Sequence, residues 1–235
     1  MKLNHKVLAA AIATVGCVAV LVASNMTSVA SAGDKKGNEH NHSDTSSSSN
    51  SQSKLKILGD DCDKSKLKAH NGFQSDKAQC VDTEFGEVSA FEDNPTLLIT
   101  KFPTEVGKGE DITLEVSTRN LKRDRFLAAG DGGYYLESAF LNKDGLTRGH
   151  FHTGCRLIGD GTEAPSPFRL GDRFVATEDG KGSSKPDTVS ITIPGFDETG
   201  NVQCASWAGD GSHRIPMMSF ANEIPAFDAV RITVE

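Results

Sequence analysis

Short runs of alternating apolar and polar residues, separated by turn signals, fill the sequence from Thr96 onward. The clearest run is Asp111–Thr118, where Ile112, Leu114 and Val116 alternate with polar side chains. A period of two is typical of a strand with one buried face, and none of the runs keeps a helical period. Asp-Gly dipeptides, which suit tight turns between antiparallel strands, recur between the runs. The eight runs are Thr96–Phe102, Asp111–Thr118, Gly133–Leu141, Gly149–Leu157, Arg173–Thr177, Thr188–Ile193, Val202–Ala208 and Ala229–Val234.

Eight short strands in a segment of this length predict an all-β domain. We expect residues 95–235 to form an immunoglobulin-like antiparallel β-sandwich of about eight strands. The stretch from Ile99 to Val116 supports this prediction, because a strand, a glycine-containing turn and an alternating strand follow each other as at the start of many such domains.

The residues before the predicted domain fall into three segments. Residues 1–32 have the features of a secretory signal peptide: two lysines, an apolar run and a small-residue cleavage pattern that ends at Ala32. A lipoprotein signal at Cys17 is the weaker alternative. Residues 33–56 are rich in serine, contain histidine and are predicted to be a disordered tail. Residues 57–94 are polar and glycine-broken, and predict a loop-rich lead-in that packs on the main domain.

The cysteines indicate an oxidising compartment. Removal of the leader with Cys17 leaves Cys62, Cys80, Cys155 and Cys204, and an even number in an exported chain predicts two disulfides. We favour Cys62–Cys80, which closes a short polar segment, and Cys155–Cys204, which joins two predicted strands. No Cys-x-x-Cys pair is present to suggest a cysteine metal site. The sequence therefore predicts a secreted protein without a transmembrane segment after cleavage.

The charge of the chain argues against binding to polyanions. The formal net charge is −7, and loss of the two leader lysines makes it −9. We therefore expect no nucleic-acid partner. The segment Arg119–Arg125 is a local exception with four cations, which we interpret as a solvated loop.

The stretch Arg148–Leu157 is the best candidate for a functional surface. In a strand, Phe151 and Cys155 would face the core, whereas His150, His152 and Arg156 would point to the opposite side. Two imidazoles that point the same way can bind a metal ion.

A disulfide between Cys155 and Cys204 would bring a second strand beside this one. Alternation then places Trp207 on the histidine side, with His213 in the loop that follows.

Three interpretations of this patch compete. In the first, His150, His152 and His213 bind copper or zinc, and the nearby Met217 and Met218 favour copper. The second is a glycan or cell-surface ligand that stacks on Trp207, Tyr134 or Tyr135, with Arg156 beside it. In the third, the patch is structural: the tryptophan covers the disulfide, the histidines form hydrogen bonds to neighbouring strands and the two methionines fill the core.

Motifs of known enzyme classes are absent from the sequence. It contains no Gly-x-Ser-x-Gly, no His-Glu-x-x-His and no phosphate-binding glycine loop. Asp210, Ser212 and His213 are the residue types of a nucleophilic triad, but they lie within four residues, whereas such triads are normally assembled from distant positions. The sequence therefore favours a secreted, non-enzymatic binding or surface-associated module, with a secreted enzyme acting on a cell-envelope or environmental polymer as the alternative.

Two sequence pieces carry a resemblance. Arg148–Cys155 (Arg-Gly-His-Phe-His-Thr-Gly-Cys) and Trp207–Met218 resemble segments of secreted microbial proteins that have no assigned activity. The resemblance covers most of Thr96–Glu235. It implies an immunoglobulin-like β-sandwich and supplies no catalytic residues.

Overall fold

The structure is a computed structural model, which describes Leu58 and residues 60–171 and 173–235. The predicted signal peptide and the predicted tail lie outside the described residues. The described residues form strands, turns and loops almost throughout. Two 3-10 turns, Phe91–Asp93 and Ala129–Asp131, are the helical elements of the described part, which contains no α-helix. No helix in the part of the chain that the structure describes is long and apolar enough to cross a membrane. The strands in these residues are β1 Lys68–Ala69, β2 Gln79–Cys80, β3 Thr96–Lys101, β4 Glu105–Val106, β5 Ile112–Arg119, β6 Leu121–Lys122, β7 Thr147–Leu157, β8 Phe174–Thr177, β9 Asp187–Ile193, β10 Gly200–Asp210 and β11 Phe227–Val234.

Two sheets enclose the core, so the predicted immunoglobulin-like β-sandwich is confirmed. The larger sheet runs β4-β11-β10-β7-β6, and β8 also pairs with β7. The smaller sheet runs β3-β5-β9. The long strand pairs are antiparallel, whereas the two-residue strands β4 and β6 join the larger sheet in parallel.

The core follows the alternation in the sequence. Ile112, Leu114 and Val116 of β5 are fully buried, as predicted, and meet residues of the larger sheet such as Phe151 and Val202. A fully buried aliphatic or aromatic side chain contributes roughly 1.5–3 kcal/mol to folding. The inner faces of β5, β7 and β10 therefore hold the two sheets together and fix which side chains point outward.

The two disulfides form with the predicted pairing. Cys155 and Cys204 are directly opposite each other on the neighbouring strands β7 and β10, on the face that is buried in the core. Cys62–Cys80 closes the lead-in, where the short strands β1 and β2 pair in parallel.

The lead-in packs on the loop that precedes β7. The amide of Tyr134 donates a hydrogen bond to the carbonyl of Gly72 (2.9 Å), and the hydroxyl of Thr83 donates one to the carbonyl of Tyr135 (2.7 Å). The described residues form one compact unit.

The predicted strand Gly133–Leu141 is wrong, because this segment is a loop. Tyr135 adopts a left-handed backbone conformation (φ 52°), which interrupts a strand. The amides of Leu136 and Glu137 bind the Ser212 hydroxyl at 3.1 and 2.7 Å instead of a neighbouring strand. Only isolated bridges remain, one of which joins Ala139 to Gly86 in the lead-in.

The basic segment Arg119–Arg125 is also not the solvated loop that the sequence suggested. Arg123 is fully buried, and its guanidinium donates to both Asp179 and Asp187. Arg125 forms a bidentate ion pair with Glu137. These two cations are therefore neutralised within the fold.

Candidate metal centre

His150 and His152 lie side by side on the outer face of β7, as predicted. In the register of the sheet, His152 is opposite Trp207 and His150 is opposite Gly209 on β10. Gly209 makes room for the imidazole. A Cβ atom at this position would lie 3.0 Å from His150 Nε2 and 3.2 Å from Cε1, which is closer than ordinary van der Waals contact. The absence of a side chain on β10 therefore lets the His150 ring lie across the neighbouring strand.

His213 reaches the same place from the loop that follows β10. Buried Asp210 holds this loop: its Oδ1 accepts hydrogen bonds from the amides of Ser212 (2.8 Å) and Arg214 (3.1 Å), and its Oδ2 accepts one from Arg214 Nε (2.8 Å). His213 itself has φ 72°, a left-handed conformation that is unusual for a residue other than glycine. Such strained backbone persists only where surrounding contacts hold it.

The three histidines point one nitrogen each to a common centre. His150 Nε2 lies 2.8 Å from His152 Nε2 and 3.2 Å from His213 Nδ1, and the third side of the triangle is 3.3 Å. A tetrahedral metal with bonds of about 2.0–2.1 Å keeps its nitrogen ligands about 3.3 Å apart. The triangle is thus close to the size that one zinc or copper ion requires.

Main-chain carbonyls fix the tautomers of two of these rings. His150 Nδ1 lies 3.0 Å from the carbonyl oxygen of Arg125, and His213 Nε2 lies 2.6 Å from that of Leu127. A carbonyl only accepts, so each of these nitrogens carries the proton and the nitrogen that faces the centre carries a lone pair.

The segment Arg125–Leu127, which supplies these two carbonyls, is itself held at both ends. The amide of Arg125 donates to the carbonyl of Gly149 (3.1 Å) and the amide of Leu127 donates to that of Gly211 (2.8 Å). Main-chain hydrogen bonds therefore tie the segment to β7 and to the loop of His213.

His152 differs from the other two histidines. Its Nδ1 is buried and has no hydrogen-bond partner among the described residues. In the absence of a cation, a proton on Nε2 can be donated to the two lone pairs opposite it. For His152 to offer a metal its Nε2 lone pair, as the other two rings can, its proton would have to lie on Nδ1, which has no acceptor among the described residues.

Burial keeps His150 and His152 uncharged. It lowers the pKa of His150 to about 4 and that of His152 to about 3, and the neighbouring imidazoles lower both further. At neutral pH these two rings therefore present lone pairs and not positive charges, which is the state that a metal ion requires.

Aromatic rings surround the three histidines. Phe126 meets His150 and His213 edge to face, with ring centroids 4.9 and 5.1 Å apart. The rings of Trp207 and Phe174 lie 5.2 and 5.0 Å from His152, and that of Tyr134 lies 5.8 Å from His213. Among the described histidine, cysteine and acidic residues, no fourth side chain joins the group.

The other predicted ligand residues fall on two sides of this centre. Tyr134 stacks on Tyr135 at 4.0 Å between ring centroids, and burial together with a hydrogen bond that it donates to Tyr135 raises the pKa of its phenol. Arg156 lies further along β7, where its guanidinium donates to Gln203. Arg156 and Trp207 line an apolar pocket of about 310 Å³, whereas Tyr134 lines a separate cleft.

Two details of the structural interpretation, the tryptophan over the disulfide and the methionines in the core, disagree with the structure, whereas His150 and His213 do form hydrogen bonds within the fold. Trp207 is not on the disulfide side of β10, because Cys204 faces the core and Trp207 the outer face. Ser212 and Asp210 do not form a triad with His213, since the hydroxyl accepts main-chain amides and the carboxylate binds Arg214. Met217 and Met218 are half-buried and are not part of the core.

Several residues of the centre are not evident from the sequence. The carbonyls of Arg125 and Leu127 carry no side-chain signal, and Phe126 directly follows the basic segment Arg119–Arg125, which the sequence predicts to be a solvated loop. Gly209 could have been noticed, because a glycine near the end of a strand often marks a close approach.

Comparison with known proteins gives only a distant likeness. No family model matches the sequence, and no curated protein matches it. Among solved structures, it is similar to the CARDB domain of a Pyrococcus furiosus protein that was determined in complex with di-metal ions, with a TM-score of 0.31 and 13% identity. The alignment covers 60% of this chain and 92% of that one. Since unrelated functions occur on β-sandwiches, the function has to be inferred from the residues of the site.

Proposed function

We propose that the chain is an exported, non-enzymatic module that binds one copper or zinc ion through His150 Nε2, His152 Nε2 and His213 Nδ1. The observation that carries the proposal is the convergence of these nitrogens within 2.8–3.3 Å of one another. Two of the three have their lone pairs aimed inward by main-chain carbonyls. In the metal-free protein a proton on His152 Nε2 can lie between these lone pairs, and a cation at the centre would take its place.

The physical setting supports the same proposal. Hydrogen bonds from the outer nitrogen of a metal-binding histidine to a carbonyl are the usual means of orienting the ring. Three imidazoles suit both zinc and copper. Export is supported by the leader-like sequence of residues 1–32 and by the two disulfides, which persist in oxidising compartments.

The test is metal binding by the purified, disulfide-bonded protein. We expect close to one equivalent of zinc or copper by mass spectrometry and a saturating titration with either ion. His152→Gln should weaken the binding at least about 100-fold, because it removes one of three ligands. Near-background metal content in the wild-type protein would overturn the proposal.

His70→Gln is the matched control. His70 is another partly buried histidine, whose ring nitrogens contact Gln79 Oε1 at 3.2 Å and the carbonyl of Tyr134 at 2.5 Å. It is not a member of the three-histidine group. We therefore expect its replacement to leave the metal stoichiometry unchanged, so that a loss shared by both variants would indicate unfolding and not loss of a ligand.

A further inference from the structure

A metal ion at the three-histidine centre would have three protein ligands. Its remaining coordination position would not be filled by a histidine, cysteine or acidic side chain of the described residues. Zinc with three protein ligands takes a fourth from water or another small molecule. In the described part of the chain, no cysteine or carboxylate joins His150, His152 and His213. A metal held here would therefore carry an exchangeable ligand.

His213 is the least buried of the three histidines. His150 and His152 are only 0% and 4% exposed, whereas His213 is partly exposed. The rings of Tyr134 and Phe174, which contact His213 and His152, also line a cleft of about 750 Å³. The cleft thus extends from solvent to the rings that flank the centre.

The lining of the cleft combines polar side chains with aromatic rings that suit a planar ligand. Phe73 and Phe168 contribute two more aromatic rings, and both are at least half exposed. The charged residues of the lining, Arg169 and Asp76, form an ion pair with each other. Aromatic walls of this kind hold planar rings by stacking and by edge-to-face contact.

We propose that the centre binds a small aromatic ligand whose donor atom fills the open metal position and whose ring lies in this cleft. This inference rests on the proposed metal-binding function and adds the class of ligand. The rings of Tyr134 and Phe174 lie at the boundary between the two parts of the site, because each meets a histidine and lines the cleft, so the donor atom of the ligand has to reach the metal past their edges.

The experiment uses the protein loaded with cobalt(II), whose visible spectrum reports changes in the metal's ligands. Azide tests for an open position. Benzoate and acetate offer the same carboxylate donor and differ in the aromatic ring, so the ratio of their affinities reports the cleft. We expect benzoate to bind at least about 10-fold more tightly than acetate, since the ring becomes buried.

Two variants connect this ratio to the cleft. Gly130 lies in the lining, and a Cβ atom there would have no heavy atom within 4 Å, so Gly130→Trp should fold normally and fill the cleft. Gly130→Ala is its control, because it leaves the cleft open. Phe168→Ala removes one wall without touching a histidine. We expect the benzoate preference to fall to about 3-fold or less in the tryptophan and Phe168 variants and to persist in Gly130→Ala.

The outcomes separate the two proposals. If the protein binds no cobalt, zinc or copper, the metal-binding proposal itself fails. If the metal binds but azide leaves the spectrum unchanged, or if the benzoate preference is absent or is equal in all four proteins, the metal site stands and the aromatic-ligand proposal is overturned.

Discussion

Acidification should destabilise the metal-free protein between pH 7.5 and pH 5.0 through His150 and His152. In the unfolded chain these side chains titrate near pH 6.5, whereas burial lowers their native pKa values to about 4 and about 3. At pH 5.0 the unfolded chain therefore binds more protons than the native protein, and the free energy of unfolding falls as the pH falls.

The magnitude follows from the unfolded pKa. Because pH 5.0 lies above both native pKa values, each native histidine is mostly neutral there, while its unfolded counterpart is mostly protonated. Each contributes a loss of about 2 kcal/mol, so that the pair contributes about 4 kcal/mol. This is a large share of the total stability of a typical domain.

The assay is urea unfolding at the two pH values in the presence of a chelator, followed by the fluorescence of Trp207. This is the single tryptophan of the chain, and its ring lies 5.2 Å from that of His152. The double variant His150→Gln, His152→Gln provides the comparison, because it keeps every carboxylate that titrates nearby and removes the two histidines. Between pH 7.5 and pH 5.0 the free energy of unfolding of the double variant should fall by about 4 kcal/mol less than that of the wild-type protein. An equal fall in both proteins would refute the reasoning.

Three further predictions concern the structure around the centre. Gly209→Ala should weaken metal binding about 10-fold or more in a titration, because the new methyl group presses on a ligand imidazole, while the far-ultraviolet circular dichroism stays unchanged. Arg123→Ala should lower the free energy of unfolding, measured with urea, by about 3 kcal/mol, since it breaks a buried ion-pair network. Arg148→Ala is the control, because the ion pair of Arg148 with Asp124 is half-exposed and its loss should cost less than about 1 kcal/mol. Replacing Cys155 and Cys204 together by alanine should cost about 2–4 kcal/mol in the same assay and leave metal stoichiometry intact, because the strand register is also fixed by main-chain hydrogen bonds.

Alternation and cysteine pairing were sufficient to predict the fold and much of the site. A period of two placed Phe151 and Cys155 inward and His150 and His152 outward, and the structure agrees. The disulfide partner then brought β10 beside β7, which placed Trp207 next to His152. These steps depend on local geometry that a strand imposes on any sequence.

The sequence could not reveal contacts made by the main chain. The carbonyls of Arg125 and Leu127 orient the histidines whatever their side chains are, and the left-handed backbone of Tyr135 depends on amides bound by distant Ser212. Arg123 was misread for a related reason, because its acidic partners come from a segment more than fifty residues away. Long-range partners of this kind leave no local pattern.

The separation of the three histidines along the chain has a consequence for the order of events during biogenesis. His213 lies 61 and 63 residues from the other two, and only the folded arrangement of β7, β10 and the loop after β10 brings them together. Of these three ligands, an unfolded chain keeps only His150 and His152 close together, so an ion that uses all three selects the folded chain and stabilises it by mass action. Metal loading would then come after the sheet has formed, and occupancy would report that folding is complete.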